Sequence, residues 1–173
     1  DGGIAEIRRP GNRRRPGPQM RILVNAISAK KGGIVTYTRN LIMAFRARGV
    51  DATFAVANEF DVGDGDERNL IRIAASEFTP FARFAWEQIV WRRLVARHRP
   101  DVLFSSANFG LFRCPVPQVL LVREGGLFDD FYLVNVAPTQ GVASMAVRDV
   151  RRRLILASAR WASVVLTPSA ATR

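Results

Sequence analysis

Two rhythms run along this chain: short apolar runs, and longer stretches in which apolar residues recur at helical spacing. The first run, Arg21 to Ala26, reads as a strand buried on both faces. From Ile34 to Arg48 the pattern is amphipathic. Ile34, Tyr37, Leu41, Ile42 and Phe45 fall near one helical face, and Gly49 is a C-terminal stop. Asp51 to Ala57 reads as a second strand, Asn58 to Glu67 as an acidic loop, and Leu70 to Ala74 as a third strand. Thr79-Pro80 opens a helix, because threonine caps free N–H groups and proline is tolerated in the first turn. The helix is predicted to reach about Arg97, with Phe81, Phe84, Ala85, Trp91, Leu94 and Val95 toward the core, and Pro100 ends it.

Strands four and five are predicted at Asp101 to Ser105 and Gln118 to Arg123. Glu124 to Ala146, with its glycines and proline, reads as a long loop of the kind that is more often functional or mobile than structural. Arg148 to Arg160 is a helix, Ser163 to Thr167 a sixth strand, and Ser169 the cap of a further helix. No internal repeat is visible. Strands alternating with helices imply an α/β fold: a Rossmann-like three-layer domain with a mostly parallel sheet and right-handed crossovers. Ligands of such sheets bind beyond the carboxyl ends of the strands. The turn 28–36, the loop 105–117 and the segment 123–135 therefore share one rim.

Composition adds a boundary and a charge. Residues 1–19 hold five arginines, three prolines and four glycines without periodicity, and read as a disordered basic leader to a domain spanning 20–173. Net charge is +11, which suits an anionic membrane surface or nucleic acid. Beyond the leader, arginines cluster on helix faces: Arg92, Arg93, Arg97 and Arg99, then Arg148, Arg151, Arg152 and Arg153. A solvated face or an anionic membrane accounts for these, and no nucleic-acid-binding motif accompanies them. A single cysteine, Cys114, excludes an internal disulfide and a multi-cysteine zinc site. With no apolar run of membrane-spanning length, the expectation is a cytoplasmic protein, peripheral at most on the inner membrane face.

Candidate chemistry sits at the strand ends. Lys30-Lys31-Gly32-Gly33 contains the only two lysines of the chain and precedes a helix. Bare backbone and a helix N-terminus suit a phosphate or sugar there; a tight turn with exposed lysines is the plainer reading. Arg123 and Glu124 can bind a phosphate and sugar hydroxyls, or form a rim salt bridge. Asn108-Phe109-Gly110, with Phe112, pairs an amide with an aromatic ring, as sugar sites do; loop anchoring fits equally. His98, the only histidine, lies at a helix C-terminus and reads as a capping residue. Asp61, Asp64, Asp66 and Glu67 miss the spacing of a calcium loop, so no metal is expected. Cys114 reads as a small apolar filler.

In order along the chain, four stretches resemble the GT-B glycosyltransferase family. These are the Gly32-Gly33 turn with Tyr37 on the next helix, Arg-Pro-Asp-Val-Leu-Phe at 99–104, Pro-Gln-Val-Leu-Leu-Val at 117–122, and Ala-Ser-Val-Val-Leu-Thr-Pro-Ser at 162–169. The resemblance implies the N-terminal, acceptor-side half of an enzyme that moves a sugar from a UDP- or GDP-sugar, typically with retention. The acceptor would be a glycan or lipid-linked molecule. It implies a missing C-terminal domain carrying most of the nucleotide-sugar site, and no cofactor besides that donor. Gly32 and Gly33 would face the nucleotide-sugar, and Lys31, Tyr37, Asn108 and Phe109 the substrates. Many relatives carry a His-Asp pair where this chain has Arg123 and Glu124, so these two take the catalytic position and no histidine role carries over. Two other classes fit the residues. One is a non-catalytic Rossmann-like binding module; the other is an NAD(P) enzyme with Glu59 or Asp61 on the ribose, although the glycine fingerprint is absent.

Removing residues 1–19 should leave the melting temperature nearly unchanged, because that segment lacks apolar content to offset its ordering entropy. Thermal melts of the full and shortened chains check this, and a large loss of stability would contradict it.

Overall fold

The computed structural model describes residues 19–63, 67–74, 78–135, 139 and 141–168. Residues 1–18 of the leader, Asp64, Asp66 and the helix expected from Ser169 lie outside these. The elements are β1 (Ile22–Ala26), α1 (Gly33–Ala47), β2 (Ala52–Ala57), β3 (Leu70–Ile73), α2 (Pro80–Trp86), a π-helical turn (Glu87–Trp91) and α3 (Arg92–His98). There follow β4 (Val102–Ser105), β5 (Gln118–Leu121), a 3-10 turn (Gly125–Leu127), α4 (Asp130–Asn135), α5 (Val142–Arg160) and β6 (Val164–Leu166).

The six strands lie in the order β3-β2-β1-β4-β5-β6, and every neighbouring pair is parallel. This is the Rossmann-like α/β arrangement. Chain order reverses between β1 and β4, where the register sets Asn25 opposite Ser105. That reversal opens a crevice at the carboxyl ends of the two strands. Side chains alternate across the sheet, as the two-residue period requires. Val24, Ala26, Phe54, Val56 and Phe104 form a core with Ile42 of α1. Leu23, Ala55 and Leu103 meet Trp91 and Val95 in a second core. Leu120 and Val122 pack with Phe109, Leu127 and Ile155 of α5 in a third.

Local chemistry explains most boundaries. Thr79 Oγ1 accepts the N–H of Ala82 at 3.2 Å and caps α2. Gly49, with φ +64°, takes the left-handed position after α1. Three expectations are corrected. The stretch 124–146 is not one long loop: it holds the 3-10 turn, α4 and the first turn of α5. The start of α5 is solvated, with Val142 84% exposed, so no apolar stripe announces it. The helix from Thr79 is not uniformly α-helical. Its π-helical turn buries Glu87 and Trp91, whereas Phe81 and Ala85 are exposed. The turn shifts the helical phase, and a strict 3.6-residue count cannot hold through it.

The loop between β4 and β5 is fastened by two glutamines. Gln118, at the start of β5, is fully buried. Its Oε1 accepts the Leu111 N–H at 2.8 Å, and its Nε2 donates to the Leu111 carbonyl at 3.2 Å. Gln88 in the π-helical turn donates to the Gly110 carbonyl at 3.1 Å and accepts from the Phe112 N–H at 2.9 Å. A Cβ on Gly110 would stand 2.7 Å from Gln118 Nε2. Gln118→Leu keeps the volume but leaves the buried backbone of Leu111 unpaired, and should cost about 1–3 kcal/mol. Gly110→Ala should be destabilising through overlap with the same amide. Urea unfolding of both variants measures this; wild-type stability in either would show that the amide does not hold the loop.

Candidate functional site

The rim at the switch point encloses a cavity of about 360 Å³, lined by Ser28, Ile34, Arg83, Ala107, Asn108, Phe109, Arg123, Glu124 and Arg151. Five stretches of the fold build it: the turn from β1 into α1, the loop after β4, the end of β5, and the facing helices α2 and α5. Four sequence-expected residues, Asn108, Phe109, Arg123 and Glu124, thus meet here. Gly32 and Gly33 stand beside the lining residue Ile34 at the start of α1, and Lys31 is exposed. Tyr37 joins through Arg123, whose guanidinium lies 4.7 Å from the centre of its ring. Burial raises the Tyr37 phenol's pKa, against the lowering influence of Arg123.

Each expected residue has a defined setting. Asn108 adopts φ +59°, and its Oδ1 accepts the N–H groups of Arg123 at 2.7 Å and Glu124 at 3.2 Å. Its carbonyl therefore anchors the loop and presents the next two side chains. Phe109 is buried, its ring edge-on to Phe84 at 5.4 Å. It forms the wall of the cavity more than an open stacking platform. Glu124 does not bridge to its neighbour Arg123; it pairs with Arg151 of α5. Gly32 combines φ +67° with ψ −153°, a region that glycine alone populates readily. Gly33 is the first residue of α1, and a Cβ there meets nothing within 4 Å. The conformational demand of the turn falls on Gly32 rather than Gly33. Helix α1 begins with no side-chain cap and no acidic residue in its first turn, which leaves its positive end to a ligand or solvent.

Sequence reasoning missed four contributors: Ser28, Arg83, Glu87 and, as a member of the site, Arg151. Arg83 and Glu87 are four residues apart with opposite charges, a spacing that reads as a surface pair. In the fold Glu87 is buried and Arg83 half-buried, with Arg83 Nε 3.6 Å from Glu87 Oε1. Burial raises Glu87 to about 6 from its ordinary 4.5, while Arg83 and a hydrogen bond with Asn25 pull the other way. Among the described residues six buried side-chain polar atoms have no hydrogen-bond partner, and three of them, Ser28 Oγ, Arg83 Nε and Arg151 Nε, belong to residues lining this cavity. Such atoms are costly unless something bonds to them.

Other candidates lie elsewhere. His98 lines a hollow at the amino ends of the strands, with Arg21, Asp51 and Pro100, at the opposite edge of the sheet from the rim. Asp61 pairs with Arg39 at 2.6 Å and Glu67 with Arg72 at 2.6 Å. Among the described residues no three His, Cys, Asp or Glu side chains gather to hold a metal ion. No helix among them is long and apolar enough to cross a membrane. Cys114 packs against the second core, and burial raises its thiol pKa. No family model, curated protein or solved structure matches the chain.

The raised pKa of Glu87 makes stability depend on pH with a definite sign. A carboxyl that titrates higher in the folded state than in the unfolded state favours folding while protonated. That contribution is complete below about 4.5 and is lost as pH rises through about 6. That difference corresponds to roughly 2 kcal/mol. Glu87→Gln removes the titration. The stability of the wild type relative to Glu87→Gln should therefore fall by about 2 kcal/mol between pH 4 and pH 7. Urea unfolding across that range tests it, and a difference independent of pH would contradict the buried, raised carboxyl.

Proposed function

We propose that this chain is the acceptor-side half of a sugar-transferring enzyme of the GT-B type, and that it binds a phosphate-bearing ligand at the switch-point cavity. The observation that carries the reading is the convergence of Arg83, Arg123 and Arg151 with unpartnered buried donors and the uncapped start of α1. Guanidinium groups and helix N-termini both favour phosphate oxygens. In sugar transfer the bond from the anomeric carbon to the donor phosphate breaks, and an acceptor hydroxyl forms the new bond. The leaving diphosphate takes the electron pair of the broken bond, and the acceptor hydroxyl gives up its proton as the new bond forms. Glu124, oriented by Asn108 and Arg151, is the group placed to accept hydrogen bonds from sugar hydroxyls.

A second protein surface fits the half-enzyme reading. Strand β6 is an edge strand whose Val164, Val165 and Leu166 are each more than 40% exposed, with Trp161 at 48% beside them. Exposed apolar residues of this kind suit cover by further protein. The NAD(P) alternative, with Glu59 or Asp61 on the ribose, is weaker, because the turn after β1 lacks the glycine fingerprint of dinucleotide sites.

Calorimetric titration with inorganic phosphate, pyrophosphate and a hexose 1-phosphate tests the reading. Arg123→Ala and Arg151→Ala should each weaken binding about ten-fold or more, the worth of a charge-assisted hydrogen bond. Gly33→Ala adds a methyl group in open space, so it should fold normally and still weaken binding. Glu124→Gln should reduce the extra affinity for the sugar phosphate over phosphate. The chain by itself should not turn over UDP- or GDP-sugars. No binding of any of the three ligands, or robust turnover by these 173 residues alone, would overturn the proposal.

A further inference from the structure

The arginine cavity opens into a groove. It shares Arg123, Glu124 and Arg151 with a hollow over the 3-10 turn, where Gly125, Gly126, Tyr132 and Arg148 also lie. That hollow in turn shares Leu127 and Arg148 with a third, of about 250 Å³, between the turn, α4 and α5. The chemistry changes along this path. At the first end the guanidinium groups of Arg83, Arg123 and Arg151 outnumber the single carboxylate of Glu124. At the far end Leu127, Leu133 and Met145 are joined by Arg148, Asp149 and Arg152.

The polar residues at the far end are turned to other work. Arg148 donates to the Tyr132 hydroxyl at 2.7 Å and lies over its ring at 4.9 Å. Arg152 lies 5.9 Å from the Phe128 ring centre, and Asp149 pairs with Arg153 at 2.9 Å. With their heads so held, the arginines can offer their methylene stems to whatever lies beside them. A glycan here would set hydroxyls against Leu127, Leu133 and Met145 without partners, which is costly. An apolar chain would not.

We propose that the groove seats a single amphiphile, a phosphate head at Arg123 and Arg151 with a linear apolar tail running over Leu127 to Leu133 and Met145. The inference rests on the anion-binding reading of the cavity. Of the two acceptor classes, glycan and lipid-linked, it selects the lipid-linked one. Charge complementarity at one end, and continuity of the lining from guanidinium groups to aliphatic side chains, define the occupant.

The test is a titration series on the whole chain: inorganic phosphate, then butyl, hexyl, octyl and decyl phosphate, each below its micelle-forming concentration. Affinity should rise by about two- to four-fold per methylene along the groove and level off once the tail outgrows it. Met145→Asn, a change at a half-exposed position, and Leu133→Asn should each flatten that rise and leave inorganic phosphate binding unchanged. Arg123→Ala should weaken every member of the series by a similar factor. If phosphate binds and chain length adds nothing, the groove proposal is overturned and the anion site stands. An undiminished rise in both Met145→Asn and Leu133→Asn would place the tail elsewhere and also overturn it. Failure of phosphate itself to bind would remove both readings.

Discussion

The rim depends on one buried amide. Gln118 begins β5, yet its side chain acts across the sheet: it pairs with both backbone groups of Leu111 and lies 3.3 Å from the Ser105 hydroxyl. In effect it offers Leu111 the two hydrogen bonds that a neighbouring strand would otherwise supply. A loop pressed against a sheet must satisfy its backbone somewhere, and here a side chain does so where strand pairing cannot. With Leu111 fixed, Gly110 is brought so close to the amide that a β-carbon would collide with it. Gln88 of the π-helical turn and Ser158 of α5 then hold the Gly110 carbonyl.

From that fastening the site follows in order. The loop between β4 and β5 turns at Asn108, whose left-handed backbone and side-chain carbonyl receive Arg123 and Glu124. Arg123 lies over Tyr37 of α1, and Glu124 reaches Arg151 of α5. Helices on the two sides of the crevice are thus tied to the end of one strand. The π-helical turn contributes from beneath, since it carries both Glu87, which faces Arg83, and Gln88, which holds the loop. An irregular helix segment of this kind is tolerated where its extra residue serves a specific contact.

The charge of the chain takes on a different meaning in this setting. Arginines 148, 151 and 152 look like a solvated or membrane-facing cluster when read as a helix face. Folded, they are distributed over Tyr132, Glu124 and Phe128 and line the groove that leaves the cavity. Arg152 and Arg153 both stay exposed, Arg153 paired with Asp149 on the same helix. Basic residues near a crevice act on a ligand through placement, and net charge alone carries no such information.

The sequence by itself determined the layered fold. Short, mostly apolar stretches within 21–26, 51–57, 101–105 and 118–123, separated by amphipathic stretches, point to a parallel sheet covered by helices, because such a sheet buries both faces of its strands. It also located the rim, since the carboxyl ends of those strands follow from their direction, and with it Asn108, Phe109, Arg123 and Glu124. Tertiary structure alone decided the rest. Arg83 and Glu87 carry an ordinary helix-surface spacing, yet Glu87 is buried in the π-helical turn and Arg83 half-buried beside it. Helix α4 and the start of α5 have no apolar stripe to announce them, being half in solvent. Burial is a property of the neighbours a residue meets, and neighbours distant in sequence leave no mark on local periodicity. The pairing of Glu124 with Arg151, 27 residues apart, is the plainest case: each is an unremarkable charge along the chain, and only the sheet brings them to one rim.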